Sequence, residues 1–350
     1  MIDLLIPAAT SFLITILSIP LVIYIAKKYG LTDNPLLRPH PAHVQKRVVP
    51  RAGGLAIFLG ITICILLFIP IQKHIIGIIT SMGILLAVGL LDDKINNFSP
   101  YLRLLMQVIA AILVVASGVG ISFITNPFGG IIRLDEVMWI ADLLALVWII
   151  WVMNMLNWSK GVDGQMPGIV AVTTLILGFL SFKLFLMGDT NQFDIARLSF
   201  IAAGSSLAFL IVNWHPAKIF PGFSGSNILG LIVATLAILS GAKLATAGLV
   251  LLIPAADFVY TFLRRIASGR SPVWGDRGHL HHKLLDMGFS HQQISLFYIL
   301  GSVILGAAAL NLDSRGKFFA ALLTGAGILG IILWLNFFGG LSKKPDPDNG

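Results

Sequence analysis

Asn154 to Gly164 reads NMLNWSKGVDG and follows directly on an apolar run, Met138 to Met153. With its flanks, that run is long enough to cross a membrane. Two Asn, a Lys, an Asp and two Gly then fall within eleven residues. An apolar helix that ends in amides, charges and glycines delivers polar groups to a membrane face. The glycines free the backbone for a tight turn or for close approach to a ligand. Taken alone, the stretch reads equally as a helix stop with an ordinary solvated loop. The rest of the chain separates the two readings.

Of the 350 residues, 57% are hydrophobic and 11% charged, and the mean hydropathy is +0.90. A soluble domain carries about 25% charged residues, so this is an integral membrane protein. The apolar runs are continuous rather than alternating, so the spans are helices rather than barrel strands. They are expected near 4–26, 52–71, 75–91, 101–124, 138–157, 167–187, 195–213, 226–240, 243–263, 294–311 and 317–340. The weakest divisions are the short turns near Gln72 and Gly241. The expected fold is all-α and polytopic, with about 11 transmembrane helices. Residues 1–340 read as one membrane domain and 341–350 as a polar, disordered tail. No cleavable signal peptide is evident, because Asp3 precedes the first apolar run and no basic segment does. Cys64 is the single cysteine, which excludes an intrachain disulfide and a cysteine metal cluster.

An odd number of spans puts the termini on opposite sides. Seventeen of the 24 Lys and Arg residues fall on one side, in the loops 27–51, 92–103, 158–166, 214–225 and 264–293 and in the tail. Six fall on the other side, and Lys183 lies within a span. By the positive-inside rule the basic side is cytoplasmic and the N-terminus is outside. The net charge of +8 either suits an anionic partner or encodes topology alone. No nucleic-acid partner is expected.

Every polar cluster of interest falls on the basic side. The first loop holds DNP, Asp33 to Pro35, and ends VVPRAGG, Val48 to Gly54, with Arg38, His40, His43, Lys46, Arg47 and Arg51 inside it. Those charges read as a membrane-side anchor touching anionic headgroups. The Pro-Arg-Ala-Gly-Gly turn opens straight into a helix, where backbone amides and Arg51 can meet phosphate. The third span ends GLLDDK, Gly89 to Lys94. Two carboxylates there face the negative end of the helix dipole and repel each other. Neighbouring residues point about 100° apart on a helix, so the two need not share a ligand. After the seventh span comes NWHPAKIFPGFSGSNILG, Asn213 to Gly230, whose GFSGS core reads as a Gly/Ser turn able to cradle a diphosphate. Asp257 lies inside a span, which is expensive without a task or a partner. Arg264 is two helical turns away, so a partner on another element is expected. The last large loop reads GDRGHLHHKLLDMG, Gly275 to Gly288. Three His beside Asp276, Arg277 and Lys283 make a poor zinc site and suit an anion better.

Together these residues resemble the polyprenyl-phosphate N-acetylhexosamine-1-phosphate transferases. The resemblance rests on PRAGG, DDK, NMLNWSKGVDG, FPGFSGS, Asp257 and DRGHLHHKLL, in that order and over nearly the whole chain. It is nearer the branch that handles UDP-N-acetylglucosamine than the muramoyl-pentapeptide branch. It implies transfer of a sugar 1-phosphate from a UDP-sugar to a polyprenyl (undecaprenyl) phosphate, with release of UMP. It also implies Mg²⁺, a cytoplasmic cleft in a bacterial plasma membrane, and the start of lipid-linked envelope glycans such as peptidoglycan, lipopolysaccharide or teichoic acid. A homodimer is also expected. By position, Asp92 and Asp93 match the paired aspartates linked to activating the lipid phosphate. Asn154, Asn157 and Asp163 match the central substrate motif. Phe220 matches an aromatic that stacks on uracil, and His279, His281 and His282 match a loop near the phosphates and sugar. The expected catalytic set is Asp92, Asp93, Asp163 and Lys160, with Asp92 and Asp163 as ligands if Mg²⁺ binds. Arg51, Ser224 and Arg277 join the expected substrate contacts. Asp92, Asn157, Asp163 and His281 should line one cavity.

Two positions depart from the family pattern, NxxNxxDGxDG and GDxGS. Its first Asp is Lys160 here, and the Asp of the later turn is Phe223. Gln165, Met166 and Pro167 are also unusual. Phe223 cannot ligate a metal, and Lys160, expected at the rim of the cleft, repels one. An ammonium can itself neutralise a diphosphate with three donors. Either Lys160 partly replaces the cation, or it is drift after loss of catalysis. Three readings follow: an active transferase, a silent relative that binds polyprenyl phosphate or a nucleotide sugar, and an unrelated transporter. A transporter places polar groups at mid-membrane depth, whereas here they sit at span ends.

Overall fold

The computed structural model describes residues 1–34, 47–95, 98–134, 137–241, 243–271 and 277–338. Arg38, His40, His43, Lys46, Asp276 and the tail 341–350 lie outside the described residues.

The bundle is built around one helix, α8 (Gly222–Leu239), in which every residue from Gly222 to Ile238 is buried. Its sequence is apolar or small around the whole circumference, so no face demands solvent. Against it pack α2 (Gly53–Phe68), α3 (Lys73–Lys94) and α5 (Met138–Trp158). Small residues let the backbones approach. A Cβ at Gly54 would fall on the Ser224 hydroxyl, and one at Gly89 on the Ser224 backbone. Ser224 is therefore the meeting point of α2, α3 and α8, and its side chain is fully buried. α4 (Pro100–Ala116) packs on α3 and α5. α1 (Ile2–Lys28) packs on α2 and α7 (Gln192–Asn213), and α7 pairs closely with α6 (Gln165–Leu186). α12 (His291–Asn311) lies on α6. α13 (Ser314–Phe338) is peripheral and packs on α10 (Leu252–Ala267).

Eight of these helices are long and apolar enough to cross a membrane. A ninth segment, α9 (Leu244–Val250) with α10, is bent by 82° at Leu251. α2 and α4 are shorter apolar helices of 16 and 17 residues. Each expected span overlaps at least one of these segments, and two spans and one turn differ from expectation.

The run 243–263 is not one straight helix. Pro254 lacks an N–H, and its ring clashes with the carbonyl four residues earlier, so α9 ends at Val250. Ser302 Oγ donates to the freed Val250 carbonyl at 3.0 Å. The run 101–124 is helical only to Ala116; Gly118 takes φ +105°, and the chain then forms a hairpin. Its strands are β3 (Phe123–Thr125) and β4 (Ile131–Arg133), with Phe123 opposite Arg133. GFSGS is not a free turn, because α8 already begins at Gly222.

Candidate active site

Two clusters of charged side chains flank the loop 159–164 between α5 and α6. The first is held by a short backbone clamp. β1 (Thr32–Asp33) pairs antiparallel with β2 (Val49–Pro50), Thr32 opposite Pro50. Arg51 N–H donates to Leu31 O at 2.9 Å, Phe220 N–H to Pro50 O at 2.7 Å, and Gly53 N–H to Phe220 O at 3.0 Å. The backbone of Phe220 thus pins the PRAGG turn and fixes where Arg51 points.

Arg51 Nε lies 3.1 Å from Asp93 Oδ1, and its NH1 lies 3.6 Å from Asp33 Oδ1. Asp92 turns the other way. Arg103, in the first turn of α4, reaches Asp92 Oδ1 with Nε at 2.6 Å and NH2 at 2.5 Å. The adjacent aspartates, both buried at the C-terminus of α3, therefore each hold a different guanidinium. Two cations there also offset the negative end of the helix dipole. The Arg103 guanidinium stands over the ring of Phe223, 5.8 Å from its centroid.

Lys160 reaches into this cluster rather than standing at its rim. The side chain is half-buried, and its ammonium donates to Gly222 O at 3.1 Å and to Ser226 Oγ at 3.4 Å. Ser226 Oγ in turn donates to Asn157 Oδ1 at 2.8 Å. Burial, and then the positive charge of Arg51, push the Lys160 pKa down to about 7, against the pull of Asp93 and Asp92. Gly222 has φ +69°, and Asp93 Oδ2 occupies the place a Cβ would take. Asn154 stands behind, in a chain of buried amides. Its Nδ2 donates to Gln107 Oε1 at 3.0 Å, and Gln107 Nε2 donates to Asn227 Oδ1 at 2.5 Å.

The second cluster lies across the same loop. Gly161 lies so close to His281 that a Cβ would overlap the imidazole ring. His281 and His282 are on α11 (Leu280–Asp286), which is anchored by Asp257. Asp257 Oδ1 accepts Leu280 N–H at 2.7 Å, and its Oδ2 lies 3.1 Å from His279 Nδ1. This is the partner expected on another element. Arg265 stacks on Trp158 at 4.4 Å, and the Trp158 ring lies 5.4 Å from that of His279. Burial, and then His282 and His279, hold the His281 imidazole well below its ordinary pKa. Burial, His279 and Arg277 push His282 down to about 4. Both rings are therefore neutral at pH 7 and offer N–H donors rather than charge. Their Nδ1 atoms have no hydrogen-bond partner among the described residues.

Asp163, at the end of the same loop, is held by a third set of residues. Its Oδ2 accepts His215 Nδ1–H at 2.7 Å and Ala217 N–H at 3.1 Å. Its backbone N–H donates to His291 Nδ1 at 3.4 Å, and its carbonyl accepts Ser295 Oγ at 2.6 Å. The ligand atoms of Asp163, His215 and His291 lie within 4.8 Å of one another, close enough to hold a metal ion. Each of them already has a protein partner, so the group works as a clamp joining three segments. Asp163→Ala should lower the thermal unfolding temperature in detergent by several degrees, from a loss of about 1–3 kcal/mol. An unchanged unfolding temperature with lost activity would instead make Asp163 a group that meets substrate.

Of the expected site residues, Asp92, Asp93, Arg51, Asn157 and Lys160 converge on the start of α8. His279, His281 and His282 converge across the loop. Three are placed elsewhere. Ser224 is sealed in the helix crossing, Asn154 is tied into the amide chain, and Arg277 pairs with Asp286 at 2.7 Å on the surface. Asp163 faces His215 and His291, and His291 is one of the groups that hold the His281 pKa down. Arg103, Ser226, His215 and His291 escaped the sequence reading. Only Ser226 left a usable signal, since it lies four residues after Gly222 and so shares its face of α8.

The donor set does not fit Mg²⁺. That ion takes six oxygens at about 2.0–2.1 Å and needs one or two carboxylates on it. Here Asp92 and Asp93 are engaged by guanidiniums, position 223 is a phenyl ring, and the Lys160 ammonium sits on the Gly222 carbonyl beside them.

Residues 75–241 match the family model for glycosyl transferase family 4. The chain is 31% identical over 323 residues to a Bacillus subtilis protein named "Probable undecaprenyl-phosphate N-acetylglucosaminyl 1-phosphate transferase", covering 90% of this chain and 86% of that one. It is 32% identical over 354 residues to the decaprenyl-phosphate N-acetylglucosaminephosphotransferase of Mycolicibacterium smegmatis, covering 91% and 84%. The undecaprenyl-phosphate alpha-N-acetylglucosaminyl 1-phosphate transferase of Yersinia pestis is 26% identical over 302 residues, covering 80% and 76%.

Proposed function

The chain belongs to glycosyl transferase family 4, in its polyprenyl-phosphate N-acetylglucosamine-1-phosphate transferase branch, and on that premise we propose how its site performs the transfer. It is a membrane-embedded enzyme that transfers N-acetylglucosamine 1-phosphate to a polyprenyl phosphate. The donor is UDP-N-acetylglucosamine. An oxygen of the lipid phosphate attacks the β-phosphorus, the bridging P–O bond breaks, and UMP leaves with the bridging oxygen. A new lipid-linked diphosphate sugar remains, the starting unit of a lipid-linked glycan.

The observation that carries this reading is the convergence at the start of α8. Arg51 and Lys160, beside Arg103, place positive charge where a diphosphate gains negative charge as its bridge breaks. Asp93 holds Arg51, and Asp92 holds Arg103. The neutral imidazoles of His281 and His282 face the same loop as hydrogen-bond donors. The isoprenoid chain has a place beside them. Leu280 and Leu284, on one face of α11, line an apolar cavity of about 290 Å³ with Phe289, Ile294, Phe297 and Ile328.

The site faces the cytoplasm in a plasma membrane, with the N-terminus outside. The support is the charge asymmetry, 17 of 24 Lys and Arg on the side that carries the site. One experiment tests both activity and orientation. Inside-out and right-side-out vesicles carrying the protein and polyprenyl phosphate are given UDP-N-acetylglucosamine, which does not cross the bilayer. UMP release confined to inside-out vesicles is expected. Release confined to right-side-out vesicles would reverse the topology, and none in either would sink the transferase reading.

A further inference from the structure

We propose that Lys160, with Arg51 and Arg103, supplies the positive charge at the diphosphate in place of a divalent cation, so that transfer proceeds without Mg²⁺. The inference rests on the transferase reading above and adds a charge carrier to it. Three observations support it.

The carboxylates at this point are already engaged: Asp33 and Asp93 by Arg51 and Asp92 by Arg103, at 2.5–3.6 Å. A divalent ion entering here has to displace a guanidinium from a buried carboxylate. The ammonium is also aimed. Two of its three N–H donors go to Gly222 O and Ser226 Oγ, which leaves one for a ligand oxygen. An aimed ammonium is a point charge suited to a phosphate. Finally, position 223 cannot serve a metal. Phe223 is buried, and its ring is a platform under Arg103, the guanidinium that holds Asp92. The two unusual residues therefore act on one another's surroundings: Phe223 seats Arg103, and Lys160 fills the charge.

The test uses the purified full-length enzyme with polyprenyl phosphate and UDP-N-acetylglucosamine, in chelator and in Mg²⁺. Mn²⁺ binding to the enzyme alone is followed by electron paramagnetic resonance as a readout independent of turnover. Wild type should release UMP at rates within about twofold in the two conditions, and any stoichiometric Mn²⁺ binding should disappear in His215→Ala. Lys160→Ala should lose about 10²- to 10³-fold, the range for removing one aimed donor. Lys160→Arg should restore part of that loss. Lys160→Asp combined with Phe223→Asp should be inactive in chelator, recover in Mg²⁺ and gain a Mn²⁺ site. Wild-type turnover that needs Mg²⁺, or stoichiometric Mn²⁺ binding that persists in His215→Ala, overturns the inference. Absence of UMP release from every variant under every condition sinks the transferase reading instead. The Mn²⁺ titration then decides the metal question alone.

Discussion

Asp93→Asn is expected to cut UMP release by about 10²- to 10³-fold. Asp93 has no exposed surface and lies at the end of α3, where Arg51 Nε meets its Oδ1 and Gly222 closes over its Oδ2. Asparagine keeps the shape and removes the charge. Arg51 and Lys160 then face each other with less to separate them, and the guanidinium loses its anchor. Removing one partner of a buried pair leaves the other charge uncompensated, so the unfolding temperature should fall as well. Asp92→Asn is the matched comparison, one residue away. Its partner Arg103 is 37% exposed and can turn to water, so a loss nearer tenfold is expected. The measurement is kcat for both variants in detergent, each with its unfolding curve. Equal losses would mean that the two carboxylates act as one unit. Near-normal turnover in Asp93→Asn would exclude the Arg51–Asp93 pair from the reaction.

The spans were legible because apolar length and basic asymmetry are properties of composition. Their ends were less so. Ser117 and Gly118 stop α4, yet the apolar residues after them belong to a hairpin, and hydropathy does not distinguish the two. Pro254 did carry the bend in the ninth segment, since a proline inside a span has to free a carbonyl. The Asp92–Asp93 divergence follows from helix geometry alone. What each aspartate meets does not. Arg103 reads in sequence as one more cation on the cytoplasmic side, and only the fold brings it onto Asp92 and Phe223. His215 and His291 are 76 residues apart in the chain, stack at 4.3 Å and share Asp163, which no local pattern announces. GFSGS reads in sequence as a loop, with Ser224 as its central hydroxyl. Once it is the first turn of α8, the i to i+4 spacing selects Ser226, next to Gly222 and Lys160.

Gly222→Ala is expected to lower kcat by about 10²-fold or more, with a stability loss of about 2–4 kcal/mol. Two costs combine at this residue. Its φ of +69° is a left-handed conformation that a side chain disfavours by about 1–2 kcal/mol. Its Cβ would also fall on Asp93 Oδ2 and on the Arg51 carbonyl, so both must move. Neither can move freely. Asp93 is held by Arg51, and the Arg51 backbone is held by Leu31. The Gly222 carbonyl is itself an acceptor of the Lys160 ammonium, so any adjustment of the turn re-aims the lysine. One added methyl thus disturbs three charges, and a misplacement of about 1 Å commonly costs 10²-fold in rate. Gly241→Ala separates the two costs. Gly241 has φ +76°, but nothing lies within 4 Å of where its Cβ would stand. That variant should lose about 1–2 kcal/mol at most and keep its kcat. Unfolding curves and UMP release on both proteins decide the matter. If Gly222→Ala loses no more than Gly241→Ala in either measurement, the start of α8 is not packed as described. If it loses stability alone and keeps full turnover, the Asp93–Arg51–Lys160 arrangement is a structural knot, and the reacting phosphates bind across the loop at His281 and His282.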